Sequence, residues 1–325
     1  MKEILSLAIG TIPSLRYSER LRVWEEISTR EEFLKLKPLD LSIKFQRTLR
    51  NTLWDPFALW EQAEATLQRM QGKDIHLLLP TDSRYPPQLK EIYDPPFLLF
   101  YRGVLPAWTE TFFAVVGTRN PTPRGRRAAY NFGRESAEAG IVIVSGLAKG
   151  IDGEAHRGAL DGKGRTLAVL GHGPDTVYPY ANRRLGERIL SEGGLLLSEY
   201  PPGTHPLPYH FPARNRIISG LCRGVLVVEA PKGSGALITA DYALEQGRDL
   251  FVHRLGVETM EGTRHVSEEG APIIEGVQDL FSAWGIHRAQ GLMDTKEKVG
   301  DRKAESLSAG EWLANRLKEE LEKTR

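Results

Sequence analysis

The chain has 325 residues, and its net charge of +1 excludes a protein that is strongly basic or acidic as a whole. Any nucleic-acid interaction must therefore rest on local clusters of basic side chains. The single cysteine, Cys222, excludes an intrachain disulfide and a cysteine-based zinc site. The opening residues have too short an apolar run for a signal peptide, and no stretch approaches the ~20 apolar residues of a membrane span. We expect a soluble, cytoplasmic protein.

Residues 1–80 show helical periodicity and predict a small helical domain. Asp55 is typical of a helix N-cap and Pro56 of the first helical position, and apolar residues follow at helical spacing as far as Met70. Gly72 is placed to end this helix. Residues 81–110 contain two Pro-Pro pairs, which block a helix and favour extended backbone. We interpret 81–110 as a connector and the start of the next domain.

Residues 111–287 alternate short apolar runs with segments long enough for helices. The runs are almost continuously apolar, which predicts strands that are buried on both faces. Strands that alternate with helices in this way indicate an α/β fold with a doubly wound, mainly parallel sheet. The predicted strands are 113–116, 141–144, 167–170, 195–198, 225–228 and 250–253. Residues 288–325 predict a linker and one amphipathic helix that begins at the capping box 308–311.

Ligands of an open parallel sheet bind at the carboxyl ends of its strands. The first predicted strand is followed there by Gly117, Thr118 and Arg119, and five arginines and no acid lie between 116 and 134. Gly117 lets the backbone approach a phosphate, and the helix expected near Pro123 offers free N–H groups. An arginine run of this kind is equally typical of a solvated helix face.

The second predicted strand ends in Ser145 and Gly146, followed by Lys149, a turn that also suits phosphate. Neither a P-loop nor a G-x-G-x-x-G fingerprint is present, so the sequence lacks the motifs that would indicate a bound nucleotide cofactor. Asp152 and His156 are spaced as a helical metal pair, but no third ligand accompanies them. Capping and packing explain these two residues better, and we expect no cofactor and no metal.

Two further strand ends carry polar turns. Residues 205–223 contain three arginines, among them Arg214 and Arg216, with two histidines, Tyr209, Phe211 and no acid. Basic groups interleaved with aromatic rings are typical of single-stranded nucleic-acid binding. The same rings are also typical of side chains that pack into the hydrophobic core. After the fifth strand a Gly/Ser turn opens a helix, where Ser234 alone is typical of a cap. The predicted DNA-binding residues are Gly117, Thr118, Arg119, Ser145, Gly146, Lys149, Arg214, Asn215, Arg216, Lys232, Ser234, Gly235 and Thr239.

Several blocks of the chain, in this order, closely resemble the DNA-processing protein A (DprA/Smf) family over about residues 80–285. They include Val-Val-Gly-Thr-Arg, Val-Ser-Gly-Leu-Ala-Lys-Gly-Ile-Asp, Val-Tyr-Pro-Tyr, Ser-Glu-Tyr-Pro-Pro-Gly, Phe-Pro-Ala-Arg-Asn-Arg-Ile-Ile-Ser-Gly and Ser-Gly-Ala-Leu-Ile-Thr-Ala. The resemblance implies an extended Rossmann-like fold that binds single-stranded DNA and hands it to RecA recombinase in natural transformation. It also implies a homodimer through this domain, no cofactor and no enzymatic activity.

By this resemblance Arg119, Arg214 and Arg216 correspond to DNA-contacting positions, and the Ser145 and Ser234 turns correspond to the surrounding pocket. The N-terminal region is similar in kind to the family's small helical domain, of the SAM or helix-hairpin-helix type. The chain departs from the family pattern at 253–256 and 262–265. A ligand preference different from that of the family therefore stays open. The C-terminal tail is too short for the winged-helix domain of many members.

Two alternatives stay open at this point. One is a nucleotide-processing hydrolase on a related scaffold, with Glu199 and Glu229 as strand-end acids or bases. Capping or pairing with a neighbouring arginine explains both carboxylates better. The other is a sensor of a free nucleotide.

Overall fold

The computed structural model describes residues 1–50 and 53–286. These residues form one sheet of nine strands, together with thirteen α-helices and two 3₁₀ turns at Pro87–Lys90 and Tyr180–Asn182. The strands are β1 (His76–Leu78), β2 (Leu99–Gly103), β3 (Phe112–Val116), β4 (Val142–Ser145), β5 (Thr166–Leu170), β6 (Leu195–Ser198), β7 (Gly224–Val227), β8 (Asp249–His253) and β9 (Ile273–Ile274). The helices are α1 (Lys2–Thr11), α2 (Tyr17–Glu26), α3 (Arg30–Leu34), α4 (Pro38–Lys44), α5 (Pro56–Gln71), α6 (Pro123–Glu138), α7 (Ile151–Asp161), α8 (Arg183–Ser191), α9 (His210–Leu221), α10 (Gly235–Glu245), α11 (Arg254–Thr259), α12 (Glu261–Glu268) and α13 (Val277–Ala283).

The strand order is β1-β2-β6-β5-β4-β3-β7-β8-β9. Strands β3 to β9 pair in parallel, whereas β2 pairs antiparallel with both β1 and β6. All six predicted strands are present as β3 to β8, which confirms the doubly wound, mainly parallel α/β fold. The three additional strands lie towards the edges. Strands β1 and β9 are too short to show a periodicity, and β2 follows directly on the prolines of the connector.

Helices cover both faces of the sheet. In β3, Phe113 and Val115 pack in one cluster with α6, α7 and α13, while Phe112 and Val116 pack in another with α9 and α10. Every residue of β3 is buried. This burial on both sides explains why the strand sequence is apolar without alternation.

The N-terminal helices build a core of their own. Helix α5 begins after Asp55, whose carboxylate accepts the Phe57 N–H at 3.1 Å, and ends at Gly72, as predicted. Trp60 and Met70 of the predicted apolar stripe are buried in this core, but Phe57, which the prediction placed in the same stripe, is 55% exposed. Residues of β2 and the segment before it complete the core, so the helical region is joined to the sheet through β2.

The division of the chain at residues 80 and 110 stays a prediction. The predicted linker and helix at 288–325 lie outside the described residues. Within the described part, no helix is long and apolar enough to cross a membrane. Cys222 is a free, buried thiol.

Helices α6 and α7 both begin at the carboxyl edge of the sheet and cross at very short distance. Gly158 of α7 lies against the backbone of α6, where a Cβ atom would overlap the carbonyl oxygen of Tyr130. Gly133 of α6 lies equally close to the backbone of Ala155. Because the two helix backbones touch directly, no side chain can move aside to make room for an added Cβ atom. This contact therefore sets how the two helix N-termini lie side by side.

We expect Gly158→Ala to destabilise the protein by about 1–3 kcal/mol or more, because the added methyl group forces α6 and α7 apart. Urea unfolding followed by circular dichroism measures this change. Gly72→Ala is the matched control, since its Cβ would meet atoms only at ordinary contact distances of 3.7 and 4.0 Å. Equal stabilities of the two variants would contradict a close-packed α6–α7 contact.

Candidate functional site

Strands β3 and β7 are neighbours at the centre of the sheet, and the chain leaves them towards opposite faces. The segment after β3 leads to α6 on one face, and the segment after β7 leads to α10 on the other. Such a switch point leaves a crevice beyond the strand ends. A cavity of about 430 Å³ lies there. It is lined by Val116, Gly117, Thr118, Arg119, Ala148, Asp152, Pro208, Phe211, Pro212, Arg214, Asn215, Ile218, Pro231, Ser234, Gly235, Ala236 and Thr239.

The turn after β3 is held by Glu229 at the end of β7. The Thr118 N–H donates to the Glu229 carbonyl at 2.7 Å, and the fully buried Glu229 carboxylate accepts the N–H and the hydroxyl of Thr122 at 2.8 and 2.7 Å. A Cβ on Gly117 would lie 2.6 Å from Ile151 Cγ1 and 2.8 Å from the Glu229 carbonyl oxygen. Only glycine allows this approach. Arg119 then leaves the turn towards solvent at the mouth of the cavity.

The turn after β4 has a structural role that the sequence did not distinguish from binding. The Ser145 hydroxyl is buried and donates to the Val115 carbonyl at 2.6 Å. The Asp152 carboxylate accepts the N–H groups of Gly146 at 3.1 Å and Ala148 at 3.4 Å, and so closes the turn. Burial raises the pKa of Asp152 above its ordinary value. Asp152 lines the cavity, whereas Ser145 and Gly146 lie behind its wall.

His156 takes part in a buried hydrogen-bond chain and faces no metal ligand. The Thr166 hydroxyl donates to the Ile143 carbonyl at 2.7 Å, so Thr166 Oγ1 accepts from His156 Nδ1, also at 2.7 Å. Burial lowers the pKa of His156 to about 3, which keeps the ring neutral. The described residues contain no group of three metal-ligating side chains. His156 is hydrogen-bonded and buried, as predicted. Helix capping by Asp152 is not observed, because Gly150 is the N-cap of α7 and Asp152 instead bonds the N–H groups of the preceding turn.

Arg214 on α9 forms a buried wall of the cavity. Its Nη1 donates to the carbonyls of Gly146, at 2.9 Å, and Val169, and its Nε donates to Asn215 Oδ1 at 3.2 Å. Asn215 in turn donates to the Gly235 carbonyl at 3.1 Å, which connects α9 to the start of α10. Burial lowers the pKa of Arg214 to about 10, against the attraction of Asp152. The guanidinium is therefore charged at neutral pH.

Arg216 does not line the cavity. Its Nη atoms donate to the Glu199 carboxylate at 2.7 and 2.8 Å, and its Nε donates to the Asp94 carbonyl at 2.9 Å. Burial disfavours the charge on Arg216, but the attraction of Glu199 outweighs it and raises its pKa. Arginine pairing at Glu199 and helix-start hydrogen bonding at Glu229 are thus confirmed. Neither carboxylate lines the cavity.

The remaining predicted residues lie around the start of α10 and on the surface. Ser234 Oγ accepts the Ala236 N–H at 3.3 Å and so caps α10, while Ser234 also lines the cavity. Lys149 is exposed, and the 81%-exposed side chain of Lys232 forms an ion pair with Glu261 at 3.4 Å. Eight of the thirteen predicted residues line the cavity: Gly117, Thr118, Arg119, Arg214, Asn215, Ser234, Gly235 and Thr239. The other five are Ser145, Gly146, Lys149, Arg216 and Lys232.

Phe211 lines the cavity. The sequence did not decide whether its ring packs into the core or contacts a ligand. Its ring is half-buried, and the Arg119 guanidinium carbon lies 5.4 Å from its centroid. Three prolines add apolar wall, Pro208, Pro212 and Pro231. The sequence signal for Pro208 and Pro212 was the proline-rich stretch around 201–212, whereas Pro231 lies in the turn after β7. By contrast, the atypical segments 253–256 and 262–265 contribute no residue to the cavity lining.

Comparison with known proteins identifies the family. The sequence profile of DNA recombination-mediator protein A matches residues 76–285. The chain belongs to this family, DprA/Smf. It is 47% identical over 203 residues to DNA processing protein DprA of Streptococcus pneumoniae, covering 62% of this chain and 71% of the relative. It is 42% identical over 245 residues to protein Smf of Escherichia coli, covering 74% of this chain and 66% of that relative.

Solved DprA structures resemble this one. The X-ray structure of S. pneumoniae DprA superposes with a TM-score of 0.67 at 38% identity, covering 86% of this chain and 96% of that structure. The structure of Helicobacter pylori DprA, which concerns the single-stranded DNA binding mode of that protein, gives a TM-score of 0.58 at 29% identity. It covers 65% of this chain and 95% of that structure. The fold is thus that of DprA.

Arg216→Ala is expected to destabilise the protein by about 3 kcal/mol, because it leaves the Glu199 carboxylate without its partner in a largely buried ion pair. Thermal or urea unfolding measures the loss. Arg22→Ala, which removes an exposed arginine from α2, serves as control and should change stability by less than about 0.5 kcal/mol.

The double variant Arg216→Ala with Glu199→Gln should recover part of this loss, because the unpaired charge is gone. DNA affinity of Arg216→Ala, measured well below its unfolding midpoint, separates the two roles of the residue. If Arg216→Ala keeps its stability but loses DNA affinity, the result would support the original prediction that Arg216 contacts DNA directly.

Proposed function

We propose that the cavity at the β3–β7 switch point binds single-stranded DNA without sequence preference, and that the protein passes this DNA to RecA recombinase. The observation that carries the proposal is one cavity that combines an exposed arginine, a buried arginine, a helix N-terminus and an apolar wall with an aromatic ring. The two arginines and the helix N-terminus suit the phosphates of a strand, and the apolar wall with its aromatic ring suits the bases. Family membership as a DNA recombination mediator supports the same assignment.

The phosphate groups of the strand would contact three kinds of donor. Arg119 is exposed and reaches out from the cavity mouth. At the start of α10 the Ser234 hydroxyl accepts the Ala236 N–H and its carbonyl accepts the Leu237 N–H, and the positive end of the helix dipole lies at the cavity. Arg214 supplies a fixed positive charge in the wall, because its guanidinium is already oriented by carbonyl groups. Fixed donors bind anions with little loss of side-chain entropy.

The bases would lie against Phe211 and the neighbouring prolines. An aromatic face accepts any base, because every base has a flat π-surface, so this contact does not select a sequence. The Arg119 guanidinium over Phe211 places a cation beside that ring, where it contributes to both phosphate and base binding. The reported single-stranded DNA binding of H. pylori DprA supports this use of the site.

The proposal on partners rests on the DprA/Smf resemblance. A mediator must hold DNA through contacts that another protein can displace, and a site of charged and stacking contacts has this property. We propose that two copies of the chain associate through the Rossmann-like domain, so that two cavities act on one strand. Light scattering of the full chain tests the dimer by its mass.

Arg119→Ala should weaken binding of a fluorescent oligothymidine about tenfold, because it removes one charge-assisted phosphate contact. It should also make the slope of log K against log salt shallower by about 0.7. Fluorescence anisotropy across a salt series measures both changes. The fold should be unaffected, since the Arg119 side chain is exposed.

Arg22→Ala is the matched control for charge, because it removes an exposed arginine from the helical region. Its affinity and salt slope should equal those of the wild type. Duplex of the same sequence should bind more weakly, because its bases are not available for stacking. Wild-type protein that leaves oligothymidine free at low salt would refute the DNA-binding proposal.

The transfer step predicts that the protein shortens the lag before RecA hydrolyses ATP on DNA that is covered by a single-strand-binding protein. A coupled ATPase assay with RecA of the same organism measures the lag. Arg119→Ala should lose this effect in proportion to its loss of DNA affinity. A wild-type protein that binds DNA but leaves the lag unchanged would contradict RecA loading while preserving DNA binding.

A further inference from the structure

Two aromatic residues lie on a loop that contacts a ring of the cavity lining. This ring is that of Phe211, whose centroid lies 5.9 Å from that of Tyr178. Tyr178 belongs to the loop between β5 and α8 and does not line the cavity. Two residues further along the chain, Tyr180 carries the Arg183 guanidinium 6.0 Å from its ring centroid. Aromatic and cationic groups thus continue from the cavity mouth onto the outer surface.

The two tyrosine rings are open to solvent. Tyr178 is 47% exposed and Tyr180 is 76% exposed. The ring of Tyr178 also contacts that of buried His172, at 81° and with 6.3 Å between the centroids, which fixes its position beside the cavity. Exposed tyrosine rings beside cations are the groups on which proteins stack the bases of single strands.

The loop that carries these rings is anchored to the cavity wall. Asn182 is buried, and its Nδ2 donates to the carbonyls of Leu147 at 3.0 Å and Ala148 at 2.9 Å. Ala148 is itself part of the cavity lining. These hydrogen bonds attach the end of the loop to the cavity wall two residues after Tyr180, which favours a preformed surface.

Charge at the outer end is compatible with DNA. Arg183 and Arg184 are exposed, and Arg183 forms an ion pair with Glu187 at 2.9 Å. Both side chains of this pair are more than half exposed. An exposed pair of this kind contributes little, so a phosphate can take the place of Glu187 on Arg183 at small cost.

We propose that Tyr178 and Tyr180 form a stacking shelf for the bases of the DNA that leaves the cavity, with Arg183 on the adjoining phosphate. This inference rests on the proposed function and extends its site. The cavity holds the first nucleotides of the bound segment, and the shelf holds the next ones. Short oligonucleotides therefore report on binding in the cavity alone, and longer ones report on the cavity and the shelf together.

Tyr180→Ala tests the shelf. Oligothymidines of about 4 and about 16 nucleotides compare the cavity alone with cavity and shelf together. The variant should weaken binding of the long oligonucleotide about fivefold or more, which is the loss of at least one stacked base, and leave the short one unchanged. Tyr180→Phe, which keeps the ring, should bind both like the wild type.

Tyr93→Ala is the control, because Tyr93 is a fully exposed tyrosine on the connector. It should bind both oligonucleotides like the wild type. If the wild type binds and Tyr180→Ala matches it at both lengths, the shelf is refuted and the cavity proposal stands. If the wild type binds neither oligonucleotide, the proposed function itself fails.

Photocrosslinking identifies the contact directly. Oligonucleotides that carry 5-iododeoxyuridine at one position crosslink to the aromatic side chain that stacks on that base. Mass spectrometry of the full-length protein after digestion should place the crosslink on Tyr178 or Tyr180 at positions outside the cavity. Crosslinks confined to Phe211 at every position would overturn the shelf.

Discussion

The buried carboxylate of Glu229 is the interaction on which the geometry of the site depends. It accepts the Thr122 N–H and hydroxyl at the start of α6, and Thr259 Oγ1 of α11 lies 3.1 Å from it. The carbonyl of Glu229 also accepts the Thr118 N–H. A buried charge without such partners would cost several kcal/mol, so these segments are held together wherever the protein is folded. The turn that carries Arg119 is thereby attached to β7, and the two sides of the switch point form one wall.

Three arginines illustrate how one residue type serves different purposes around this wall. Arg119 is exposed with its guanidinium over the Phe211 ring, Arg214 is buried with its guanidinium held by carbonyls, and Arg216 is neutralised by Glu199. Only the first two line the cavity. An exposed cation and a buried one together suit a ligand that has a regular charge but a flexible shape, which describes the backbone of single-stranded DNA.

Sequence reasoning located the right edge of the sheet because parallel strands all end on the same side. It therefore found the turns at Gly117 and Ser234. It also selected Arg214, although it interpreted the stretch after 205 as a long loop where the structure has helix α9. It included Ser145 because a hydroxyl at a strand end has the same appearance in sequence whether it binds a phosphate or, as here, donates to a neighbouring carbonyl. The stacking loop around Tyr178 and Tyr180 was not selected, because its proximity to Phe211 arises from contacts between segments more than thirty residues apart.

The amino-acid sequence by itself determined the doubly wound fold and the family, because buried parallel strands and their turns leave a local pattern of apolar runs and glycines. It assigned Arg214 and Arg216 the same role as DNA contacts, because both lie in one basic stretch. Only the tertiary structure placed both on helix α9, where residues two apart point about 200° apart, and decided that Arg214 faces the cavity. That choice depends on the packing of α9 against the sheet and on the position of Glu199 beside it, and neither is encoded in the spacing of the motif.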